Sequence, residues 1–169
     1  QAHIEEVSLP LARLVAADQA AGAFVIACYA DPGLHACREA TRKPVFGIAE
    51  CAILTALARG DRFGVIAISA RSIPRHLRYM REMGLDARLA GERPLEMSVA
   101  DAASGPATLD RMVSVGRDLV TRDGADVVIM GCAGMARHRA ALQAALGVPV
   151  IDPTQAAVTM AIGTVAFDA

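Results

Sequence analysis

Two stretches decide how this chain is read: Ala23-Phe24-Val25-Ile26-Ala27-Cys28-Tyr29-Ala30-Asp31-Pro32-Gly33-Leu34 and Val127-Val128-Ile129-Met130-Gly131-Cys132-Ala133-Gly134-Met135. Each is a short apolar run rich in β-formers that stops at a cysteine, and each leads through a turn into a helical rhythm. Pro44 lies sixteen positions beyond Cys28, and Pro149 lies seventeen beyond Cys132. Both prolines open a Pro-Val-apolar strand, Pro44-Val45-Phe46 and Pro149-Val150-Ile151. The helices that follow also match: Glu50-Cys51-Ala52-Ile53 faces Gln155-Ala156-Ala157-Val158, and Ala56 faces Ala161. The chain thus reads as one strand–Cys–helix–strand–helix unit written twice. Generic likeness among α/β units is the competing explanation. Position weighs against it, because parallel sheets bind ligands beyond the carboxyl ends of their strands, where both cysteines fall.

The rest of the chain carries the same alternation. Helical patterns cover Pro10–Ala20, Leu34–Ala40, Glu50–Ala58, Ile73–Met83, Leu109–Arg122, Met135–Leu146 and Gln155–Ala161. Asp31 is placed to cap the second of these, with Pro32 at its first helical position. Strands are expected at Phe63–Ile68, near Ala87–Leu89, at Asp126–Met130 and at Val148–Ile151, and a loop at Ser98–Gly105. Strands alternating with helices predict an α/β fold with parallel sheets.

Composition agrees. Of 169 residues, 54% are hydrophobic and only 4% aromatic, with no Trp, so the core is aliphatic, as buried parallel strands require. Seventeen Lys and Arg against 18 Asp and Glu leave a net charge of -1, which removes any charge-based case for nucleic acid or an anionic membrane surface. No apolar run is long enough to cross a bilayer as a helix. The four cysteines, at 28, 37, 51 and 132, lack zinc spacing, and the histidines form no H-x-x-H or H-x-x-x-H pair, so no metal is expected. There is no GxGxxG or GxxxxGK[ST], so no nucleotide cofactor is expected. Four reduced thiols suit a cytoplasmic protein.

Chemistry centres on Cys28 and Cys132. Related by a pseudo-twofold, the two strand ends would face each other across one cleft. A thiol at a helix N-terminus meets the positive end of the dipole and free N–H groups, which lowers its pKa toward neutrality. The N–H groups of Ala133 and Gly134 are placed to hold an oxyanion. Two such thiols about 7–8 Å apart, one on each face of a flat ring, remove a proton from carbon on one side and return one on the other. The result is stereochemical inversion. Cys37, inside a helix, and Cys51, whose repeat partner is Ala156, read as core thiols. His35 and the set Arg71, Arg75, Arg78 and Arg81 read as solvated or subunit-contact faces.

Residues Phe24–His35, with Asp31-Pro32-Gly33-Leu34, resemble the first cysteine motif of hydantoin racemases, and Gly131-Cys132-Ala133-Gly134-Met135 resembles their second. The segments Pro44–Ile48 and Val148–Asp152 also fit the hydantoin and allantoin racemase branch of the aspartate/glutamate racemase superfamily. The resemblance runs from about Gly22 to about Ala161. It implies two pseudo-symmetric parallel-sheet half-domains with the active site in the cleft between them. Residues 1–60 would form the first, 61–145 the second, and 146–169 would return to the first. It implies cofactor-independent racemisation of a cyclic ureide, a 5-substituted hydantoin or allantoin, by Cys28 and Cys132. Tyr29, Ser69, Ala133 and Gly134 would contact the substrate or its enolate, and the protein would be a homo-oligomer. A decarboxylase or isomerase on the same scaffold, or a non-catalytic small-molecule binder, is the alternative. Where the family carries a Thr-Thr pair after the Phe63–Ile68 strand, this chain has Ala67-Ile68, followed by Ser69, which is left as the nearest hydroxyl. A strand and an Asn-Pro-Asn motif usually come first in the family. Residues before Gln1 that pair beside the apolar Ala23–Ala27 strand are therefore expected.

Overall fold

The computed structural model describes residues 2–104 and 107–167. In chain order the elements are α1 (Ala2–Glu6), α2 (Ser8–Ala17), β1 (Phe24–Ile26), α3 (Leu34–Ala40), β2 (Val45–Gly47), α4 (Ile48–Leu57) and β3 (Phe63–Ala67). There follow α5 (Ile73–Glu82), β4 (Leu89–Pro94), α6 (Val99–Ser104), α7 (Thr108–Thr121), β5 (Val127–Met130), α8 (Arg139–Leu146), β6 (Val150–Ile151) and α9 (Pro153–Phe167). Single 3-10 turns sit at Ala70–Ser72, Asp86–Arg88 and Ala133–His138. Strands β1 and β2 form one parallel pair, and β4-β3-β5-β6 form a parallel four-stranded sheet. The interior strands β3 and β5 are buried at every position, which is why Phe63-Gly64-Val65-Ile66-Ala67 and Val127-Val128-Ile129-Met130 carry no polar side chain.

The repeat is a structural one. Phe24 pairs with Val45 in the first unit, and Val128 pairs with Val150 in the second. The same hydrogen bond precedes each: Phe24 N–H to Pro44 O and Val128 N–H to Pro149 O, both 2.9 Å. In both units the cysteine stands four positions beyond the paired residue.

Helix α4 joins the two sheets. Ile48, Ala49, Cys51, Ala52, Ile53 and Ala56 are all buried, so it is apolar on nearly every side, as a helix inside a core must be. Its residues share one core cluster with Phe63 and Val65 of β3, Val127 and Ile129 of β5, and Ala156 and Ala157 of α9. A second cluster, on the other face of the four-stranded sheet, includes Met112 and Leu119 of α7 and Leu142 of α8. A third joins Val15, Ile26, Leu34, Cys37 and Val45 beside the β1–β2 pair.

Several local expectations change. Asp31 does not cap α3, whose N-cap is Gly33 in the left-handed region, and Pro32 stays outside that helix. The Asp31 carboxylate reaches across to α4, where it accepts from the N–H groups of Ala49 (3.0 Å) and Glu50 (2.9 Å). The helix whose first turn is buried has the greater need of acceptors for its first N–H groups. Within Ser98–Gly105, residues Val99–Ser104 form α6 rather than a loop, started by Ser98 Oγ accepting from Asp101 N–H at 3.1 Å, while Gly105 lies outside the described residues. The Met135–Leu146 helix is α-helical only from Arg139, with Ala133–His138 in the tighter 3-10 form. In the segment 146–169, β6 hydrogen-bonds to β5 as the edge of the larger sheet and touches α4, and α9 packs on α4 and the β1–β2 pair.

Gly47 ends β2 directly beneath Asp31, and a methyl group there would overlap the Asp31 carboxylate. Gly47→Ala is expected to cost about 1–3 kcal/mol. In contrast, Gly163, in the interior of α9 with open space around it, is expected to gain about 0.5–1 kcal/mol on change to Ala. Urea unfolding of the two variants beside the unsubstituted chain checks both signs.

Candidate active site

Cys28 and Cys132, 104 positions apart, line one cavity of about 460 Å³. Its wall also includes Tyr29, Ile68, Ser69, Arg71, Arg75, His76, Val99 and Gly131. The volume is that of a small-molecule site. The carboxyl ends of β3 and β5, which run parallel in the larger sheet, supply Ile68, Ser69 and Cys132, and the residues just past β1 of the smaller sheet supply Cys28 and Tyr29. Gly131 holds the second cysteine in place: its N–H donates to Ile66 O at 2.9 Å, and a side chain there would meet that oxygen at 2.6 Å.

The two thiols differ. Cys28 is exposed and Cys132 half-buried. Burial holds the Cys132 thiol above its usual pKa, the Gly134 N–H directed at its sulfur opposes this, and the nearby Cys28 adds to the rise. The expectation of a thiolate near neutrality is therefore reversed for Cys132. Neither sulfur sits at an α-helix N-terminus. Cys132 precedes only the 3-10 turn, and Cys28 enters a tight turn closed by Asp31 N–H to Cys28 O at 2.9 Å, with α3 starting later at Leu34.

Of the other expected contacts, Ser69 is on the cavity wall; its Oγ accepts from Arg71 N–H at 3.3 Å, leaving its own proton to donate. Tyr29 lines the wall with its ring, but its hydroxyl is buried without a partner among the described residues, and burial pushes its pKa well up. Ala133 and Gly134 follow directly on the cavity residue Cys132, and the Gly134 N–H is directed at the Cys132 sulfur. Cys37 and Cys51 are core residues, with the Cys51 thiol pushed up to about 12 by burial. His35 is exposed on α3.

Sequence reasoning missed His76. Its Nδ1 lies 2.5 Å from Glu92 Oε1, with the side chains 7% and 1% exposed, and its ring meets the Tyr29 ring edge-on at 5.2 Å. Its Nδ1 is thus tied to Glu92, and the residue lines the cavity. His76 sits in an Arg-rich helix and Glu92 in a strand sixteen positions later, so no spacing rule joins them. Arg71 and Arg75 were read as a solvated face, but both reach the cavity. Among the described residues, no group of three His, Cys, Asp or Glu side chains is arranged to hold a metal, and no helix is long and apolar enough to cross a membrane.

The family model for Asp/Glu/Hydantoin racemase matches residues 1–161. The chain belongs to this racemase family. It is 39% identical over 145 residues to a hydantoin racemase of Pseudomonas sp. (strain NS671), a match covering 85% of this chain and 58% of that one. With a hydantoin racemase of Rhizobium meliloti it shares 38% identity over 144 residues, covering 85% and 60%. The fold superposes on an allantoin racemase from Klebsiella pneumoniae with a TM-score of 0.90 at 28% identity, covering 99% of this chain and 70% of the other. The chain therefore spans about three-fifths of the length of the curated family members it matches.

Two measurements follow from the site. Titration with a thiol reagent on the folded chain is expected to modify Cys28 first and Cys132 more slowly, with Cys37 and Cys51 protected until unfolding; peptide mapping of each modified fraction checks the order. Asp31 gives a pH signature. Burial raises its pKa from 3.8 to about 6 against the opposing N–H bonds from Ala49 and Glu50. The folded state thus keeps this proton where the unfolded state has lost it, so the stability Asp31 contributes falls as pH rises through that window and is level above it. Relative to Asp31→Asn, the unfolding free energy is expected to drop by up to about 3 kcal/mol from pH ~4 to pH ~7. A difference that stays flat, or rises with pH, contradicts the assignment.

Proposed function

We propose that this chain catalyses cofactor-independent racemisation at C5 of a cyclic ureide, a 5-substituted hydantoin or allantoin, with Cys28 and Cys132 as the two bases. The observation that carries the reading is that the repeat-equivalent cysteines line the same cavity from two separate sheets. Hydantoin and allantoin racemases among its relatives support the substrate class. Cysteines free of disulfides fit a cytoplasmic setting.

With the ring between the sulfurs, the Cys28 thiolate takes the C5 proton, and the electron pair passes into the adjacent carbonyl as an enolate. Cys132 rests in its neutral form because burial disfavours its thiolate, so it holds a proton to deliver to the opposite face of C5. The Gly134 N–H then stabilises the thiolate left on Cys132. For the other enantiomer the steps run in reverse, which returns each sulfur to its starting state. The Ser69 hydroxyl is placed to donate to the enolate oxygen, a contact of the kind worth about 3 kcal/mol in a transition state. The Tyr29 ring and Ile68 give the flat ureide an apolar seat.

The test is proton exchange at C5 in D₂O and loss of optical rotation, with allantoin and a panel of hydantoins. Cys28→Ser and Cys132→Ser are each expected to lower racemisation by about 10²–10⁴-fold. In each single variant one enantiomer still exchanges its C5 proton, because one base remains. Cys51→Ser, in the core of α4, is expected to change the rate little. Damage from Cys51→Ser equal to that of the other two, or normal racemisation by either cavity variant, overturns the assignment.

A further inference from the structure

We propose that the cavity carries an anion subsite formed by Arg71 and Arg75, which selects hydantoins whose C5 substituent ends in a carboxylate. This rests on reading the cavity as a hydantoin site and narrows its substrate class. Both arginines line the same wall as Cys28, Ser69 and Cys132, and among the described residues no Asp or Glu lines it.

Three acids close to the cavity wall are already engaged. Glu92 is held by His76, Asp31 by Ala49, Glu50 and Tyr79, and Glu96 by the Ala70 N–H at 3.1 Å. Elsewhere in the chain guanidinium groups are paired, as Arg38 is with Glu50, Arg88 with Asp61, Arg93 with Asp123 and Arg122 with Asp118. Among the described residues neither Arg71 nor Arg75 has an ion-pair partner, and Arg75 Nε is buried without any hydrogen bond. A buried N–H donor left without an acceptor is costly, and a ligand that supplies one recovers that cost.

Arg75 also borders the smaller neighbouring cavity that holds Glu5, Asp31 and Glu82, so it is shared between two polar spaces. Arg71 stands on the exposed rim, on the 3-10 turn that Ser69 starts. The two therefore flank the space beside Ser69 from the turn and from the first turn of α5. A planar guanidinium matches a carboxylate in a forked, two-bond geometry that a carboxamide reproduces poorly. The apolar remainder of the wall, Ile68 and Val99, accommodates the methylene stem.

The experiment compares 5-(2-carboxyethyl)hydantoin with its near-isostere 5-(2-carbamoylethyl)hydantoin, by C5 exchange in D₂O on the chain as it stands. A preference for the carboxylate of about ten-fold or more in kcat/KM is expected at low salt. The ratio is expected to fall toward one in Arg71→Gln and Arg75→Gln, and to shrink at about 0.5 M salt as the charges are screened. Equal rates for the two compounds overturn the subsite and leave the racemase reading standing. Exchange of neither compound, nor of any neutral hydantoin, overturns the racemase reading instead. Calorimetric titration with the carboxylate then decides the subsite alone: saturable binding lost in Arg71→Gln supports it, and absence of binding refutes it.

Discussion

The carboxylate of Asp31 is the constraint on which the site depends. Helix α4 is buried between the two sheets, and its first N–H groups have no water to turn to. Asp31 supplies both acceptors from the turn that follows Cys28, and the Tyr79 hydroxyl of α5 donates to the same carboxylate at 3.3 Å. One side chain thus ties the turn after the first cysteine to the central helix and to the helix that carries Arg75 and His76. To reach that position Asp31 takes a φ of 42°, a left-handed conformation that Asp tolerates better than most residues, and it needs the empty space above Gly47. Asp31 and Gly47 together position the turn that follows Cys28.

The two halves of the repeat use one backbone plan in two environments. β5 is an interior strand, bonded to β3 on one side and β6 on the other, whereas β1 bonds to β2 among the described strands. The burial of β5 extends past its end and encloses half of Cys132, while Cys28 emerges exposed. Equivalent thiols therefore meet different solvent exposure, and burial disfavours the thiolate of Cys132. The proposed racemisation asks one sulfur to hold a proton while the other accepts one.

Much of this was legible in the sequence. Short apolar runs, each ending near Gly, Cys or Pro, point to the parallel α/β class, and the two Cys-to-Pro spacings point to the repeat. Cys28 and Cys132 could be placed on one cleft from the repeat and the rule that ligands lie beyond strand ends, and Ser69 and Tyr29 from the resemblance of their segments to hydantoin racemases. What escaped depends on contacts distant in sequence. The Asp31 carboxylate was assigned to the nearest helix because capping rules are local, and only the burial of α4 makes the more distant helix the better recipient. The His76–Glu92 pair joins a helix to a strand through the core, and nothing in either segment marks it. Arg71 and Arg75 share their helical face with Arg78 and Arg81, so sequence spacing could not separate the cavity wall from the solvent.

The register of the two units also bears on how such a chain can diverge. In each unit the sulfur lies four positions past a strand residue locked into its ladder, while the distance from sulfur to the next strand differs by one residue between units. Side chains alternate faces along a strand, so inserting or deleting one residue before the cysteine would turn the thiol away from the cleft. After the cysteine the turn and helix absorb such a change without moving the sulfur. A duplicated segment of this kind is rigid in phase on one side of its reactive atom and free in length on the other. An insertion that keeps the sulfur aimed at the cleft therefore falls after the cysteine, where it reshapes the mouth of the cavity.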